Sequence, residues 1–304
     1  YEINIGDWSS DVCSSDLDVK SIGIKDDFFK RGGNSILAIK CISKINKVFA
    51  TSVKIADLFN YSSVESLVKL IQENKDFNCI VTFNHPNKKL LPMIMLHPGS
   101  AGCEVYTDLA RRLGEFYDCY GVDNYNLHNT VKFTNIKELA LYYLQQLTNV
   151  AKPIDKKAPI ALLGWSLGGL IGFEVAAVLE SRGYTHITVY ALDSFISDGK
   201  FKTILKDANH SLAVERLHKH LSQYDASYVS KVVDNYMSEV AIVSENISYK
   251  LNHTKLVLFK AMKKKDETLF YEYFKESPYN NLDKIVKCKS QIEVVKLYDA
   301  HHGD

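Results

Sequence analysis

Ser166 stands inside Pro159-Ile160-Ala161-Leu162-Leu163-Gly164-Trp165-Ser166-Leu167-Gly168-Gly169, an apolar run that breaks into G-x-S-x-G and resumes as Leu170–Leu179. A serine hydroxyl is a poor nucleophile near neutrality. It attacks a carbonyl only when a base takes its proton and an acid orients that base. Both partners follow in the order Ser, Asp, His. Asp193 closes the run HITVYALDS, one strand–helix unit beyond Ser166, and the pair His301-His302 follows the run Ile292–Leu297. An aspartate at a strand end is commonly just a cap or turn residue, but position and order here favour a triad. The chemistry these residues would carry is acyl transfer through a serine ester.

Such chemistry needs donors for the oxygen that turns negative in the transition state. His97-Pro98-Gly99-Ser100-Ala101-Gly102 follows the apolar run Leu91–Leu96. A small-residue loop in that place can aim backbone N–H groups at the oxyanion, or be a plain glycine-rich turn. The second donor is usually the residue after the nucleophile, here Leu167. Losing one such donor typically costs ~3 kcal/mol of transition-state stabilisation. The histidines other than His301 and His302 read as surface or core residues.

The elements that must hold these residues are short apolar runs alternating with helical stretches. Leu91–Leu96, Pro159–Leu163, His186–Leu192, Lys255–Phe259 and Ile292–Leu297 read as strands. Val105–Leu113, Ile136–Thr148 and Leu170–Leu179 read as helices. This alternation predicts an α/β fold with a mostly parallel sheet wrapped by helices. Pro159–Leu163 running into G-x-S-x-G and a helix is the context that gives the motif weight: the glycines permit a sharp turn that lifts Ser166 to the tip of the sheet. Lys206–Lys219 and Ala226–Leu251 read as two further helices, the second with Val232, Val233, Tyr236, Val240 and Val243 as its apolar stripe. They lie between Asp193 and the histidines, in more chain than one strand–helix unit requires.

A second serine lies in a different setting. Ser35 closes DDFFKRGGNS and opens SILAIKCISKINKVF, where Ala38, Cys41, Ile42, Ile45, Val48 and Phe49 share one helical stripe. Asn34 and Ser35 are cap-type residues, so Ser35 lies at a helix N-terminus, where unpaired N–H groups and the dipole favour a nearby phosphate. Ser62-Ser63-Val64-Glu65 fits a capping box ahead of another helix with Val64, Leu67, Val68 and Ile71 inward. Asn74–Lys89 is polar apart from Cys79–Phe83, Asn84–Lys89 reads as a turn, and the domain boundary belongs near Asp76.

The 304 residues have room for one large domain and a small one. Lys+Arg 37 against Asp+Glu 36 leaves +1, with no global pull toward nucleic acid or a membrane surface. No apolar run approaches the ~20 residues that span a bilayer. The six cysteines are scattered without a C-x-x-C, which suits reduced thiols in a cytoplasm and no metal site. Trp8–Leu17, WSSDVCSSDL, repeats SSD without any structural period and reads as a non-native segment, a translated sequencing-library adapter. Both ends read as cut, and the chain as a fragment of something longer.

DDFFKRGGNS resembles the peptidyl-carrier motif of nonribosomal peptide synthetases, with Asp26, Phe28, Phe29, Gly32, Gly33 and Ser35 matching over about residues 19 to 71. GGNSI is closer to peptide carriers than to the DSL-type motif of polyketide and fatty-acid carriers. The resemblance implies an all-α carrier domain with 4′-phosphopantetheine attached covalently to Ser35. Its first helix would lie where the suspect segment stands, so that helix is expected to be lost and the carrier loosened. Residues 80 to 304 resemble the type I thioesterases that end nonribosomal peptide and polyketide assembly lines, with LHPGSAG, YGVD, GWSLGG, ALDS and the terminal histidines as anchors. That implies an α/β-hydrolase fold with a helical lid, Ser166 as nucleophile, Asp193 as acid and His302 as base, by the HGD that follows the family pattern. His301 stays an alternative. The resemblance also places the oxyanion donors at Ser100 and Leu167.

The expected layout is a non-native segment 1–17, a carrier domain 18–75, and a thioesterase domain 76–304, C-terminally truncated, with its lid at about 195–253. The implied activity is release of a carrier-bound peptidyl thioester onto Ser166, followed by hydrolysis or macrocyclisation. The implied partners are a phosphopantetheinyl transferase, upstream condensation and adenylation modules, and the peptidyl substrate. Two other readings use fewer of these residues. A generic serine carboxylesterase leaves GGNS unexplained, and a non-catalytic carrier or docking fragment makes both serines structural.

Overall fold

The computed structural model describes residues 23–49, 53–73, 79–84, 90–129, 131–150, 156–198, 215, 218–219, 221, 226–245, 247–264 and 273–303. The segment read as non-native, most of the expected helix Lys206–Lys219 and most of the turn Asn84–Lys89 lie outside these residues, and so does the place expected for the carrier's first helix.

Helix α1 (Ser35–Phe49) has the predicted bounds. Asn34 is its cap: Oδ1 accepts from the Leu37 N–H at 2.9 Å, leaving Ser35 as the first helical residue, half-buried. A short helix α2 (Ile55–Asn60), absent from the sequence reading, precedes α3 (Val64–Glu73). The expected capping box is shifted by one residue. Ser63 and Ser66 cap each other reciprocally, while Ser62 Oγ donates to Asp27 at 2.7 Å. Phe28, Ile39, Ile42, Ile45, Leu58 and Leu67 form the apolar centre of these helices. Further cover comes from outside, since Leu127, Tyr228 and Val232 belong to the same cluster.

The rest of the described chain builds one sheet from β1 (Ile80–Thr82), β2 (Leu91–Leu96), β3 (Tyr117–Val122), β4 (Ile160–Trp165), β5 (Ile187–Leu192), β6 (Lys255–Ala261) and β7 (Ile292–Leu297). The strand order is β1-β3-β2-β4-β5-β6-β7, parallel except for β1. Asn60 of α2 covers the outer edge of β1: its amide donates to the Ile80 carbonyl at 3.1 Å and accepts from the Thr82 N–H at 3.2 Å. An edge strand left open would be free to pair with another chain.

Period-two alternation sorts the strand residues between two cores. Ile94, Leu96, Ile160 and Leu162 face α6 (Ile136–Val150) and α7 (Leu167–Ser181). Met93, Met95, Ala161 and Leu163 face Tyr106 of a 3-10 turn (Cys103–Tyr106) and Ala110 of α4 (Thr107–Leu113). Burial on both faces is why these strands read as continuous apolar runs. The predicted helix Val105–Leu113 is in fact that 3-10 turn followed by α4. Strand β3 and the short helix α5 (Tyr125–His128) escaped the sequence reading, because Tyr117-Asp118-Cys119-Tyr120-Gly121 mixes polar residues and a glycine into the strand.

Helix α8 (Ala226–Val243) ends well before the predicted Leu251. The Leu251 backbone is needed elsewhere: its N–H donates to the Ile285 carbonyl and its carbonyl accepts from Lys287 in a bridge ahead of β6. The predicted stripe is also rotated. Tyr228, Val229, Val232, Asn235, Ser238, Glu239 and Ile242 form the buried face, whereas Val233, Tyr236, Val240 and Val243 are half-buried. The inward side of α8 is polar at its middle.

Candidate active site

The chain order reverses between β3 and β4, both of which flank β2. Such a switch point opens a crevice at the carboxyl ends of the strands. Leu96 pairs with Gly164, so the loop after β2 and the turn after β4 leave the sheet side by side.

Ser166 has φ 53° and ψ −114°, outside any helix or strand, between the last residue of β4 and the first of α7. Strand and helix pack so closely there that no side chain fits. A Cβ on Gly164 would lie 2.1 Å from the Gly168 carbonyl carbon, and one on Gly168 2.3 Å from the Leu96 oxygen. Tyr106 ties the two sides together, since its hydroxyl accepts from the Trp165 N–H at 2.8 Å and donates to the Leu96 carbonyl at 2.9 Å.

Asp193 follows β5 with φ 45°. Its Oδ2 lies 2.8 Å from His302 Nδ1, and His302 Nε2 lies 3.1 Å from Ser166 Oγ. A carboxylate can only accept, so Nδ1 carries the proton and Nε2 is left to accept from the serine hydroxyl. Asp193 Oδ1 accepts from the Ala261 N–H at 3.1 Å and from Asn280 Nδ2 at 3.3 Å. Trp165 Nε1 donates to the His302 carbonyl at 2.8 Å, which fixes the backbone of that ring. The neighbouring His301 turns away, its Nδ1 accepting from the Gly303 N–H at 3.1 Å. Ser166, Asp193 and His302 thus meet, from three separate strand ends.

Five non-glycine residues have positive φ among the described residues, and four of them, Ser100, Ser166, Asp193 and Asn280, are at this site. Backbone strain of this kind costs of order 1–3 kcal/mol per residue and persists where surrounding structure over-determines it.

His97 takes no part as a base. Its Nδ1–H donates to the Pro98 carbonyl and its Nε2 accepts from the Tyr143 hydroxyl, both at 2.8 Å. Burial holds the imidazole down to about 4, so it stays neutral and braces the loop. Ser100 is where the sequence places it, but its N–H is engaged. It donates to the carboxylate of Glu239 at 3.0 and 2.9 Å, a residue of α8 that sequence reasoning missed. Asn280 and Tyr106 were missed too. Trp165, inside the motif, and the pair Asn280-Asn281 were the available signals.

Burial pushes Glu239 up to about 7 from an ordinary 4.5. The groups facing it are Ser100, Asn124 and Asn235, with Lys132 acting from further off. Between those two values the folded chain keeps a proton that the unfolded chain releases, so stability falls as pH rises. We expect the melting temperature to decline between pH 4.5 and about pH 7, and Glu239→Gln to flatten that slope. Thermal melts across the range check it; equal slopes would remove Glu239 from the account.

A mostly parallel sheet clad by helices on both faces, with a strained serine turn at its switch point, is an α/β-hydrolase fold. Residues 91–235 match the family model of the thioesterase domain, and residues 11–71 match that of the phosphopantetheine attachment site. The chain is therefore a carrier-plus-thioesterase didomain. A probable non-canonical nonribosomal peptide synthetase of Salinispora arenicola, CymA, is 29% identical over 181 residues, which are 59% of this chain and 2% of that protein. This chain thus spans a very small part of that relative. Among solved structures, a four-domain nonribosomal peptide synthetase, holo-AB3403, aligns with TM-score 0.57 and 21% identity over 96% of this chain and 24% of its own. The NocB thioesterase domain aligns with TM-score 0.54 and 16% identity over 70% of this chain and 86% of its own. At these identities the likeness to both structures is one of fold.

Proposed function

We propose that this chain is the release end of a nonribosomal peptide synthetase. Ser166 would take the acyl group from a carrier-bound peptidyl thioester and pass it to water or to a nucleophile within the peptide. The observation that carries this reading is the hydrogen-bonded line from Asp193 through His302 to Ser166, in the same chain as a phosphopantetheine attachment domain.

The residues around Ser35 suit the arm. Asn34 makes the helix cap, so the Ser35 hydroxyl is not spent on it and stands half-buried at an N-terminal turn that favours phosphate. When attached, 4′-phosphopantetheine supplies the thiol that holds the acyl group. A phosphopantetheinyl transferase would act at Ser35, and upstream condensation and adenylation modules would deliver the peptide.

At the other serine, His302 Nε2 takes the Ser166 proton as Oγ bonds to the thioester carbonyl carbon. The carbonyl oxygen becomes the oxyanion, with the Leu167 N–H, at the first turn of α7 where amides lack an intrahelical acceptor, as one donor. When the carbon–sulfur bond breaks, His302 returns the proton to the departing sulfur. The same ring then activates water or the peptide's own amine or hydroxyl against the Ser166 ester. Asp193, held by Ala261 and Asn280, keeps Nδ1 protonated throughout. Among the described residues no helix is long and apolar enough to cross a membrane, and the scattered cysteines support placing the chain in the cytoplasm.

The test is transfer between the two serines. The full chain is treated with a phosphopantetheinyl transferase and an acyl-coenzyme A, then mapped by mass. We expect acyl-phosphopantetheine on Ser35 that persists in Ser166→Ala, turns over in the wild type, and is absent in Ser35→Ala. Equal persistence in wild type and Ser166→Ala would end the release reading.

A further inference from the structure

The Glu239 carboxylate occupies a place that the reaction needs. Both its oxygens lie at hydrogen-bond distance from the Ser100 N–H, and Oε2 is 3.4 Å from Ser100 Oγ. A Cβ on Gly99 would lie 3.3 Å from Oε2 and 3.8 Å from Leu167 Cβ, so Gly99 lies between the carboxylate and the residue that carries the other expected donor. Two amides converge on it: Asn124 Nδ2 at 3.2 Å and Asn235 Nδ2 at 2.8 Å from Oε1. Asn235 does so while its own buried Oδ1 has no partner among the described residues. Backbone N–H and amide donors converging from three elements are the chemistry of an anion site, filled here by an anion of the chain itself.

We propose that Glu239 is a counter-anion of the oxyanion hole: α8 holds its carboxylate on the Ser100 N–H, where the transition-state oxygen must bind, and acylation of Ser166 requires Glu239 to withdraw. The inference rests on the release reading above and deepens it by naming what gates the site. A thioester carbonyl is neutral, and hydrogen bonds to a neutral acceptor are roughly half as strong as those to a carboxylate. The substrate oxygen therefore does not displace Glu239 unaided; α8 has to move. The far end of the same helix packs into the carrier's apolar cluster through Tyr228 and Val232, so the position of α8 is tied to that of the carrier.

A small alkyl fluorophosphonate tests this, because its phosphoryl oxygen needs the same donors while fluoride leaves as Ser166 Oγ bonds to phosphorus. The measurement is the second-order rate of Ser166 modification, by intact mass and peptide mapping, on the full chain as wild type, Glu239→Gln and Glu239→Ala. With the counter-anion gone, Glu239→Ala should label about tenfold faster, the equivalent of one charge-assisted hydrogen bond released. Glu239→Gln should fall between, since its amide oxygen still accepts from Ser100 but carries no charge. Should Glu239→Ala not fold, Glu239→Gln decides alone by being faster than wild type or not.

The advantage of either variant should shrink below about pH 7, where wild-type Glu239 itself takes up a proton. A brace for the loop would show no such dependence. Folded variants that label at the wild-type rate or slower overturn the proposal and leave the triad standing. No Ser166 adduct in any of the three proteins overturns the triad reading, and this inference with it.

Discussion

Replacing His302 by alanine should lower the rate of Ser166 acylation by about 10³- to 10⁴-fold, the upper range for loss of a positioned general base. The expectation follows from geometry. Nε2 at 3.1 Å from Ser166 Oγ is the acceptor within reach of the hydroxyl proton, and Nδ1 at 2.8 Å from Asp193 is what keeps Nε2 unprotonated. Removing the ring leaves Oγ–H with no base and leaves the buried Asp193 carboxylate without its imidazole partner. His301→Ala supplies the control, because that ring bonds locally to Gly303 and its loss should cost less than threefold. Fluorophosphonate labelling of both variants reads the difference. A larger loss in His301→Ala than in His302→Ala would reassign the base and invalidate the proton path described above.

Gly164→Ala should be the most damaging single methyl group in the thioesterase domain. The new carbon would meet backbone atoms of Gly168 and Gly169 at 2.1, 2.3 and 2.5 Å, and these belong to the first turn of α7. No side chain can rotate to relieve that contact. Either the strand and helix separate, or the turn at Ser166 opens. Overpacking typically costs 1–3 kcal/mol, and rigid backbone on both sides puts this case at about 3. A domain of this size should then melt roughly 6–12 °C lower. The surviving folded fraction should also be about a hundredfold slower in Ser166 labelling, because a shift of ~1 Å in the nucleophile is enough for that. Differential scanning calorimetry and labelling of the same sample separate the two effects. A melting temperature within 2 °C of wild type would show that β4 and α7 are not packed as closely as described.

Much of the site was legible because its residues sit at ends of locally determined elements. The apolar run before Gly164 needs no partner to read as a buried strand, and the glycines mark a turn. Ser166, Asp193 and the histidine pair then fall at successive carboxyl ends of parallel strands. The same holds for α1, whose stripe and preceding cap residues depend on a few neighbouring positions. Strand β3 was not legible: its polar residues and glycine become a strand through six register pairs with β2 and the antiparallel pairing with β1.

Tertiary structure alone put His302 rather than His301 within hydrogen-bond distance of both Ser166 and Asp193, since adjacent residues differ in where the backbone aims them. The Trp165 bond to the His302 carbonyl helps set that aim from 137 positions away. Tertiary structure also turned the polar side of α8 inward. An amphipathic pattern sorts residues by hydrophobicity, and on that basis Glu239 belongs in water. Its burial depends on donors from Ser100, Asn124 and Asn235, and the first of these is 139 positions distant. Sequence period registers which residues prefer to leave water. It does not register which polar residues find their hydrogen bonds inside, and the Glu239 contact with the loop after β2 is decided there.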